Sequence, residues 1–144
     1  MPDFADAEDI LFGKIKGLLD KVDNKLPIYW PGKDASVDPD ANQPYVLVIN
    51  TPATNKPETL GRQAIWKTEG ILLVRFIFSE SANEYSRWSD VALSLLRCFQ
   101  QKATGSGVYT TDVRRGVAQV LTGRYAIDVM ISYYFRDNTN IRRT

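Results

Sequence analysis

The sequence predicts a single α+β domain, with two main helices packed on one face of an antiparallel or mixed β-sheet of about five to six strands. Apolar residues recur at helical spacing near the N-terminus and again after residue 80, and they alternate at strand spacing in the segments between and after these two. A chain of 144 residues also fits one domain with one core, and its single cysteine excludes an internal disulfide. We therefore expect one domain over residues 1–144, with flexible ends at 1–5 and 138–144.

Two segments have the pattern of amphipathic helices. The first runs from about Asp6 to Val22, with acidic residues near its start and lysines further along, as the helix dipole favours. The second runs from Ser81 to about Ala103 and places its apolar residues on one stripe. That stripe contains Trp88, Val91, Ala92, Leu95 and Phe99.

The first half of the chain has the pattern of strands separated by proline-rich loops. Leu26–Trp30 is a short extended segment, and Pro44–Thr51 is β-branched and apolar enough for a buried strand. The prolines in Pro52–Leu60 indicate an exposed, mobile loop. Gly61–Lys67 is the next strand, and the Glu69–Gly70 turn would pair it with its successor as a hairpin.

The remaining strands carry the strongest alternation in the sequence. Ile71–Phe78 is apolar on both faces except at Arg75, which predicts a central strand buried on both sides. Two strands follow the second helix, at about Val108–Arg114 and Arg124–Arg136. The second of these has one apolar and one mixed face, so one side of the sheet is expected to meet solvent or a partner.

Composition excludes several classes of function. The chain has no histidine, so neither histidine-dependent triads nor histidine metal sites are possible. The longest apolar run, Ile71–Val74, is too short to span a bilayer, and no secretory signal is visible, so we expect a cytoplasmic protein. Net charge is +1 but unevenly spread: residues 1–40 have nine acids and five bases, and residues 97–144 have three and eight. This gradient either cancels within one monomer or lets unlike parts of neighbouring subunits meet.

No motif in the sequence matches the residue pattern that a catalytic or metal site requires. Asp38, Asp40 and Asn42 have the spacing that begins a calcium loop, but the positions for glycine and glutamate hold Gln43 and Ile49. The segment 105–107 lacks the lysine of a phosphate loop, and Cys98 is expected to be a small buried hydrophobe. We predict no catalytic residue, no metal and no cofactor.

Basic residues near the C-terminus are the remaining candidates for chemistry. Arg114, Arg115 and Arg124 could contact phosphate, although no aromatic residues are interleaved with them as in a stacking platform. Subunit salt bridges or solvated charge are the alternative. Asp128 is expected to pair with one of these three arginines.

The order of features resembles the tail terminator-like family of tailed bacteriophages. The resemblance rests on "LPIYWPG", "QPYVLVIN", "WKTEGILLVRFIF", "YSRWSDVALSLLRCFQ" and "GRYAIDVMISYYF", and spans about Asp6–Phe135. It implies a ring, usually of six subunits, that docks on the last ring of the tail tube, stops its growth and presents a surface to the head connector. It also implies a virion protein assembled in the host cytoplasm, with DNA passing through the lumen without sequence recognition and no catalytic residues.

A ring needs a heterologous contact and a sheet edge or face that accepts a neighbour. The predicted Gly61–Lys67 strand is the best candidate for an edge. The residues expected at a subunit or tube interface are Asn55, Lys56, Glu58, Arg62, Ile65, Trp66, Lys67 and Tyr134. Arg114, Arg115 and Arg124 are the candidates for residues facing the lumen or DNA.

Three other interpretations stay open on sequence alone. A head-side neck protein would form a similar ring on the other side of the joint. A small adaptor domain would bind a peptide or another protein on its open sheet face and would be a monomer or dimer. An enzyme would need carboxylate or arginine chemistry that the sequence does not reveal.

Overall fold

A computed structural model describes residues 4–23, 26–31, 43–57, 65–79, 81–100, 107–116, 119–121 and 124–138. These residues form two helices and six strands, which confirms the predicted α+β class. In chain order they are α1 (Phe4–Val22), β1 (Ile28–Tyr29), β2 (Tyr45–Pro57), β3 (Ile65–Ser79), α2 (Ala82–Phe99), β4 (Val108–Arg115), β5 (Gln119–Leu121) and β6 (Arg124–Asn138).

The strands form one mixed sheet in the order β1-β2-β3-β6-β4, and β5 pairs with the start of β6 on the same side as β4. β1 is parallel to β2, and every other pair is antiparallel. Helix α2 carries the chain from β3 to β4, and β6 returns between them. The long strands β2, β3 and β6 are therefore direct neighbours.

Both helices contribute to one core on one face of this sheet. Residues of α1 at spacings of four, from Ala7 through Leu11 and Ile15 to Leu19, are buried, as the helical pattern predicts. The predicted stripe of α2 is buried as well. The sheet supplies alternate residues of its strands, namely Val46, Val48, Leu72, Val74, Phe76, Phe78, Ile127, Val129, Ile131, Tyr133 and Phe135.

Helix α2 is fixed at its start by a side-chain cap. Ser81 is the N-cap, and its hydroxyl accepts a hydrogen bond from the Glu84 backbone N–H at 3.1 Å. The Glu84 carboxylate in turn accepts a bond from the Trp88 indole N–H at 2.9 Å. Trp88 stacks on Phe76 and Phe78 of β3, with ring centroids 5.8 and 6.4 Å apart. The cap and the core contact thus hold the same turn of helix against the sheet.

The prediction of an exposed loop at Pro52–Leu60 is wrong for its first six residues. Strand β2 continues to Pro57 and pairs with β3 along its length. Strand β2 accommodates Pro52 by a register shift between Pro52 and Thr54. A bulge of this kind lets a strand pass a proline without losing the pairing beyond it.

The predicted turn at Glu69–Gly70 is also wrong, since β3 runs through these residues without a break. Gly70 lies between Pro52 and Tyr133 in the cross-strand register. A Cβ atom built on Gly70 would lie 2.5 Å from the Tyr133 hydroxyl oxygen and 2.6 Å from its Cζ. Glycine therefore makes room for a buried ring inside a strand, and does not mark a turn.

The Tyr133 hydroxyl is part of a polar chain that joins three elements. It donates to the Asn50 side-chain oxygen on β2 at 2.6 Å, and the Asn50 amide donates to the Glu8 carboxylate on α1 at 2.9 Å. Burial raises the pKa of Tyr133 above its usual value, and the bond to Asn50 acts in the opposite direction. These bonds satisfy polar atoms at the helix-covered face.

Candidate interaction surface

The side of the sheet that faces away from the helices, here called the open face, is built from the other alternate residues of β2, β3 and β6. The register places them in cross-strand rows. From one end of the strands to the other, the rows are Tyr45–Ile77–Ala126, Leu47–Arg75–Asp128, Ile49–Leu73–Met130, Thr51–Ile71–Ser132, Thr54–Glu69–Tyr134 and Lys56–Lys67–Arg136.

The middle of the open face exposes large apolar side chains. Ile49 is 39% and Ile71 43% exposed, and Leu47, Leu73 and Met130 around them are half-buried. The sequence predicts burial here because Ile71–Phe78 is apolar on both sides. The expectation fails at Ile71 because the helices cover only one face of the sheet.

An ion pair lies at the border of this apolar zone. Arg75 donates from Nε and Nη2 to the two carboxylate oxygens of Asp128, at 2.8 and 3.0 Å. The bonds to Asp128 raise the pKa of Arg75, against the opposing effect of partial burial. The predicted partner of Asp128 was one of the arginines at 114, 115 and 124. Arg75 takes that place because it lies directly opposite Asp128 on the neighbouring strand.

The end of the open face near β5 is closed by aromatic and cationic side chains. Arg124 lies over the Tyr45 ring at 5.5 Å, and Tyr29 contacts the same ring edge-on. In the row of Tyr45, Ile77 is 5% and Ala126 1% exposed. The apolar side chains of this row are thus less accessible than Ile49 and Ile71 in the middle of the face.

The opposite end of the open face is aromatic and basic. Tyr134 stacks on Tyr109 of β4 with centroids 5.3 Å apart, and Tyr109 is 40% exposed. The Lys67 ammonium and the Arg136 guanidinium lie over the Tyr134 ring at 4.6 and 5.1 Å. Folding therefore brings aromatic rings and cations together, although they are far apart in sequence.

A groove of about 290 Å³ opens between this end and the apolar zone. It is lined by Glu69, Gly70, Ile71, Thr111, Ser132, Tyr133 and Tyr134. Its β4 wall is shaped by a register shift between Thr110 and Asp112, where the Thr111 hydroxyl donates to the Ser132 carbonyl at 3.4 Å. The groove thus lies next to the β4 side of the sheet.

The outer sides of β2 and β4 are the sheet edges in the part of the chain that the structure describes. β1 pairs only with Val46 and Leu47, so the rest of β2 has no described strand beyond it. No described strand pairs with the outer side of β4. The predicted edge strand Gly61–Lys67 is wrong for Ile65–Lys67, which begin β3 and lie between β2 and β6. Residues 61–64 lie outside the described residues.

Six of the eight residues predicted at an interface are described, and they lie at one end of the sheet. Asn55 and Lys56 are exposed on β2, and Ile65, Trp66 and Lys67 are half-buried on β3. Lys67 and Tyr134 are brought into contact on the open face. Glu58 and Arg62 lie outside the described residues. Their part in an interface stays a prediction.

The three arginines predicted to face the lumen or DNA do not form one surface. Arg114 bonds Asp112 on its own strand. Arg115 points to the helix-covered side and donates to the Tyr85 and Ser89 hydroxyls of α2, each at 3.2 Å. Arg124 covers Tyr45 at the closed end. Their contacts with a lumen or with DNA stay a prediction.

Metal-binding and membrane-spanning features are not found in the described ranges. No group of three or more histidine, cysteine, aspartate or glutamate side chains there is arranged to hold a metal ion. No helix of the described part is long and apolar enough to cross a membrane.

Two features of this surface escape the sequence analysis. The exposure of Ile49 and Ile71 depends on which face the helices cover, and periodicity alone does not give that. The row of Lys56, Lys67 and Arg136 depends on strand register. Alternation in Trp66–Thr68 already places Lys67 on one side, but its neighbours across the sheet become known only with the pairing.

The chain matches no protein-family model and no curated protein sequence. Solved structures with a similar fold exist. One of them superposes with a TM-score of 0.59 over 89% of this chain and 94% of its own length, at 14% identity. A likeness at this identity shows a shared fold and nothing about activity.

Proposed function

We propose that this chain is a structural subunit of a tailed bacteriophage. In this proposal its copies form a closed ring, of six subunits as the resembled family implies, that caps the tail tube, ends its polymerisation and joins the head connector. The protein acts by binding and does no catalysis. Its partners are other copies of itself, the major tail tube protein, the connector and the DNA that passes through.

The observation that carries the proposal is the apolar zone of the open face, which lies between two unlike sheet edges. Exposed Ile49 and Ile71 would gain about 25 cal/mol for each Å² of apolar surface that a neighbour covers. Clustered apolar side chains of this kind are typical of protein interfaces. A second copy of the chain is the partner that would cover this apolar zone and also contact the sheet edges.

The edges support a head-to-tail contact. The β2 edge and the β4 edge are different and lie on opposite sides of the sheet. If the β4 side of one copy packs on the β2 edge and the adjoining open face of the next, the contact is heterologous and covers the exposed Ile49 on β2. It closes into a ring when the rotation allows. The same contact would remove two edges that are otherwise open to aggregation.

The experiment is a measurement of mass in solution, by light scattering and native mass spectrometry, over a range of protein concentrations and with or without tube protein. We expect a species near six times the 16.3 kDa chain mass and its binding to tube ends. A protein that stays monomeric at high concentration and ignores tube ends would refute the proposal.

A matched pair of variants separates the open face from general surface effects. Ile49→Lys with Ile71→Lys should give a folded monomer, because both side chains are exposed and a buried lysine would oppose the contact. Leu93→Lys is the control, since Leu93 is 42% exposed but lies on α2. If the control dissociates the ring and the open-face variant does not, the contact lies on the helices instead.

A protein-binding adaptor is the second candidate, favoured by the groove beside the β4 edge. An extended peptide could add to that edge and place side chains in the groove. This alternative predicts a monomer or dimer with no affinity for tube protein. A head-side neck ring predicts the same mass as the tail cap but binding to the connector alone, so adding each partner separately distinguishes the two.

A further inference from the structure

The helix-covered side of the β4 edge has an arginine that two hydroxyl groups hold in place. Arg115 donates from Nη2 to the Tyr85 and Ser89 hydroxyls of α2, each at 3.2 Å. Its guanidinium carbon lies 6.0 Å from the centre of the Tyr85 ring. These bonds use Nη2 alone, so the N–H donors of Nε and Nη1 are left for another acceptor. Arg115 is therefore oriented without being neutralised.

This arginine and its two hydroxyls form a site for a carboxylate. No described carboxylate makes an ion pair with Arg115. A guanidinium with a free edge binds a carboxylate through two parallel hydrogen bonds. The hydroxyls of Tyr85 and Ser89 accept from Arg115, so each can donate its own proton to the same anion.

Exposed apolar surface beside the site indicates that the carboxylate belongs to a protein. Val120 of β5 is 65% exposed and pairs with Tyr125 of β6. The Tyr125 ring contacts the Tyr85 ring edge-on, with centroids 6.0 Å apart. Aromatic rings and arginine next to accessible apolar surface are the combination that is enriched at protein interfaces. A free anion would leave Val120 uncovered.

A carboxylate that could fill the site lies on the other side of the molecule, on α1. Asp9 is exposed, and no described residue forms an ion pair with it. It lies three residues before Phe12, so the two share one side of the helix. Phe12 packs on Trp30, which directly follows β1, with ring centroids 5.0 Å apart. Asp9 is thus on the flank of α1 towards the β1–β2 side of the sheet.

The strand register places the two charges at similar heights along the sheet. Arg115 is in the same cross-strand row as Val48 of β2. Asn50, two residues further along β2, binds Glu8, which precedes Asp9 on α1. Two strand residues span about 7 Å, which is within the reach of an arginine side chain. Both charges also lie on the helix-covered side, where α2 continues the β4 side and α1 continues the β2 side.

We infer that Arg115 of one copy binds the Asp9 carboxylate of the next copy, on the helix-covered side of the ring contact. This inference rests on the proposed function, because it needs the β4 side of one copy to meet the β2 side of another. Of the alternatives open for Arg115 from sequence, it selects the subunit salt bridge. The pair also gives the contact a direction, since two like sides brought together would oppose like charges.

The test is a charge swap, measured by light scattering as the protein concentration at which half of the chains are assembled. Asp9→Arg and Arg115→Glu each place like charges at every contact and should raise this concentration at least about tenfold. The chain with both changes reverses the ion pair and should assemble within about threefold of the parent protein. Arg87→Glu is the control, because Arg87 is exposed on α2 but lies two residues from Tyr85 and faces another side of the helix. It should leave assembly unchanged.

Circular dichroism of each variant measures folding separately from assembly. Asp9→Asn and Arg115→Gln form a milder pair, and their losses in assembly should be less than additive when the two are combined.

Rescue of assembly in the double reversal supports the pair. Single reversals that assemble like the parent, or a double reversal no better than the weaker single one, would overturn the pair while the ring itself stands. Additive losses in the milder pair would overturn it in the same way. A parent protein that stays monomeric at high concentration would overturn the ring and the pair together, so the two failures are told apart by the parent alone.

Discussion

The substitution Gly70→Ala tests whether β3 has a glycine at position 70 because the Tyr133 ring occupies the space that a side chain would need. The new methyl group would lie 2.5 Å from the Tyr133 hydroxyl oxygen, 2.6 Å from Cζ and 3.0 Å from Cε1. Favourable contacts of this kind have separations of about 3.5–4.0 Å. Tyr133 is 2% exposed and its hydroxyl is held by Asn50 at 2.6 Å, so the ring has little room to move.

The expected cost follows from two opposing effects. Overpacking a buried site costs about 1–3 kcal/mol, and replacing glycine in a strand returns about 0.5–1 kcal/mol of backbone entropy. We expect a net loss of about 1–2 kcal/mol in the free energy of unfolding. The melting temperature should fall by roughly 2–4 °C for each kcal/mol in a chain of this size.

Urea unfolding followed by circular dichroism measures this loss, with a lower midpoint and an unchanged slope. Gly13→Ala is the matched control, because its added methyl meets nothing within 4 Å and lies in α1. It should stabilise the protein by up to about 1 kcal/mol through helix propensity.

A double-mutant cycle with Tyr133→Leu identifies the cause. The cost of Gly70→Ala should shrink to less than about half in that background, because the clashing ring is gone. If Gly70→Ala is as stable as the parent protein, or if its cost is unchanged beside Leu at 133, the steric explanation fails.

Asp128→Asn should lower the free energy of unfolding by about 1–3 kcal/mol, since it weakens a two-bond contact with Arg75. Adding Arg75→Met to this variant should cost much less than Arg75→Met does alone. Additive losses in urea unfolding would contradict this expectation. The raised pKa of Tyr133 means that the unfolded state loses its proton first, so stability should hold below pH 10.0 and fall as the pH rises above it. Tyr133→Phe should remove that part of the decline above pH 10.0, and an identical decline in both proteins would refute the assignment. Ser81→Ala should lower the stability of the protein by about 1 kcal/mol, because it removes the α2 cap. Ser86→Ala, on the exposed side of the same helix, should have no measurable cost. Thermal unfolding of the two variants measures the difference.

Periodicity within one helix or strand was enough to predict which of its residues are buried, wherever a single face of that element meets the core. The stripes of α1 and α2 and the alternation in β6 were confirmed, because one face of each meets the common core. The boundaries of β2 and β3 were not predicted correctly. Pro52 and Gly70 are ordinary signals for loops and turns, and here both are absorbed by pairing with neighbouring strands.

The candidate surface was predicted only in part. Lys56, Lys67 and Tyr134 were singled out from sequence, but their common feature, a place at one end of the open face, comes from the strand order. The three arginines near the C-terminus are close in sequence and separate in the fold. Asp128 found its partner 53 residues away, across the β3–β6 pairing.

Sequence alone is enough to predict the α+β class, the two amphipathic helices and the absence of histidine chemistry, since these depend on composition and on periodicity within single elements. The tertiary structure decided which face the helices cover, which strands form the edges and which charges lie side by side. Register and layer packing are long-range contacts, and those contacts set both the exposed apolar zone and the placing of Lys56, Lys67 and Arg136 side by side.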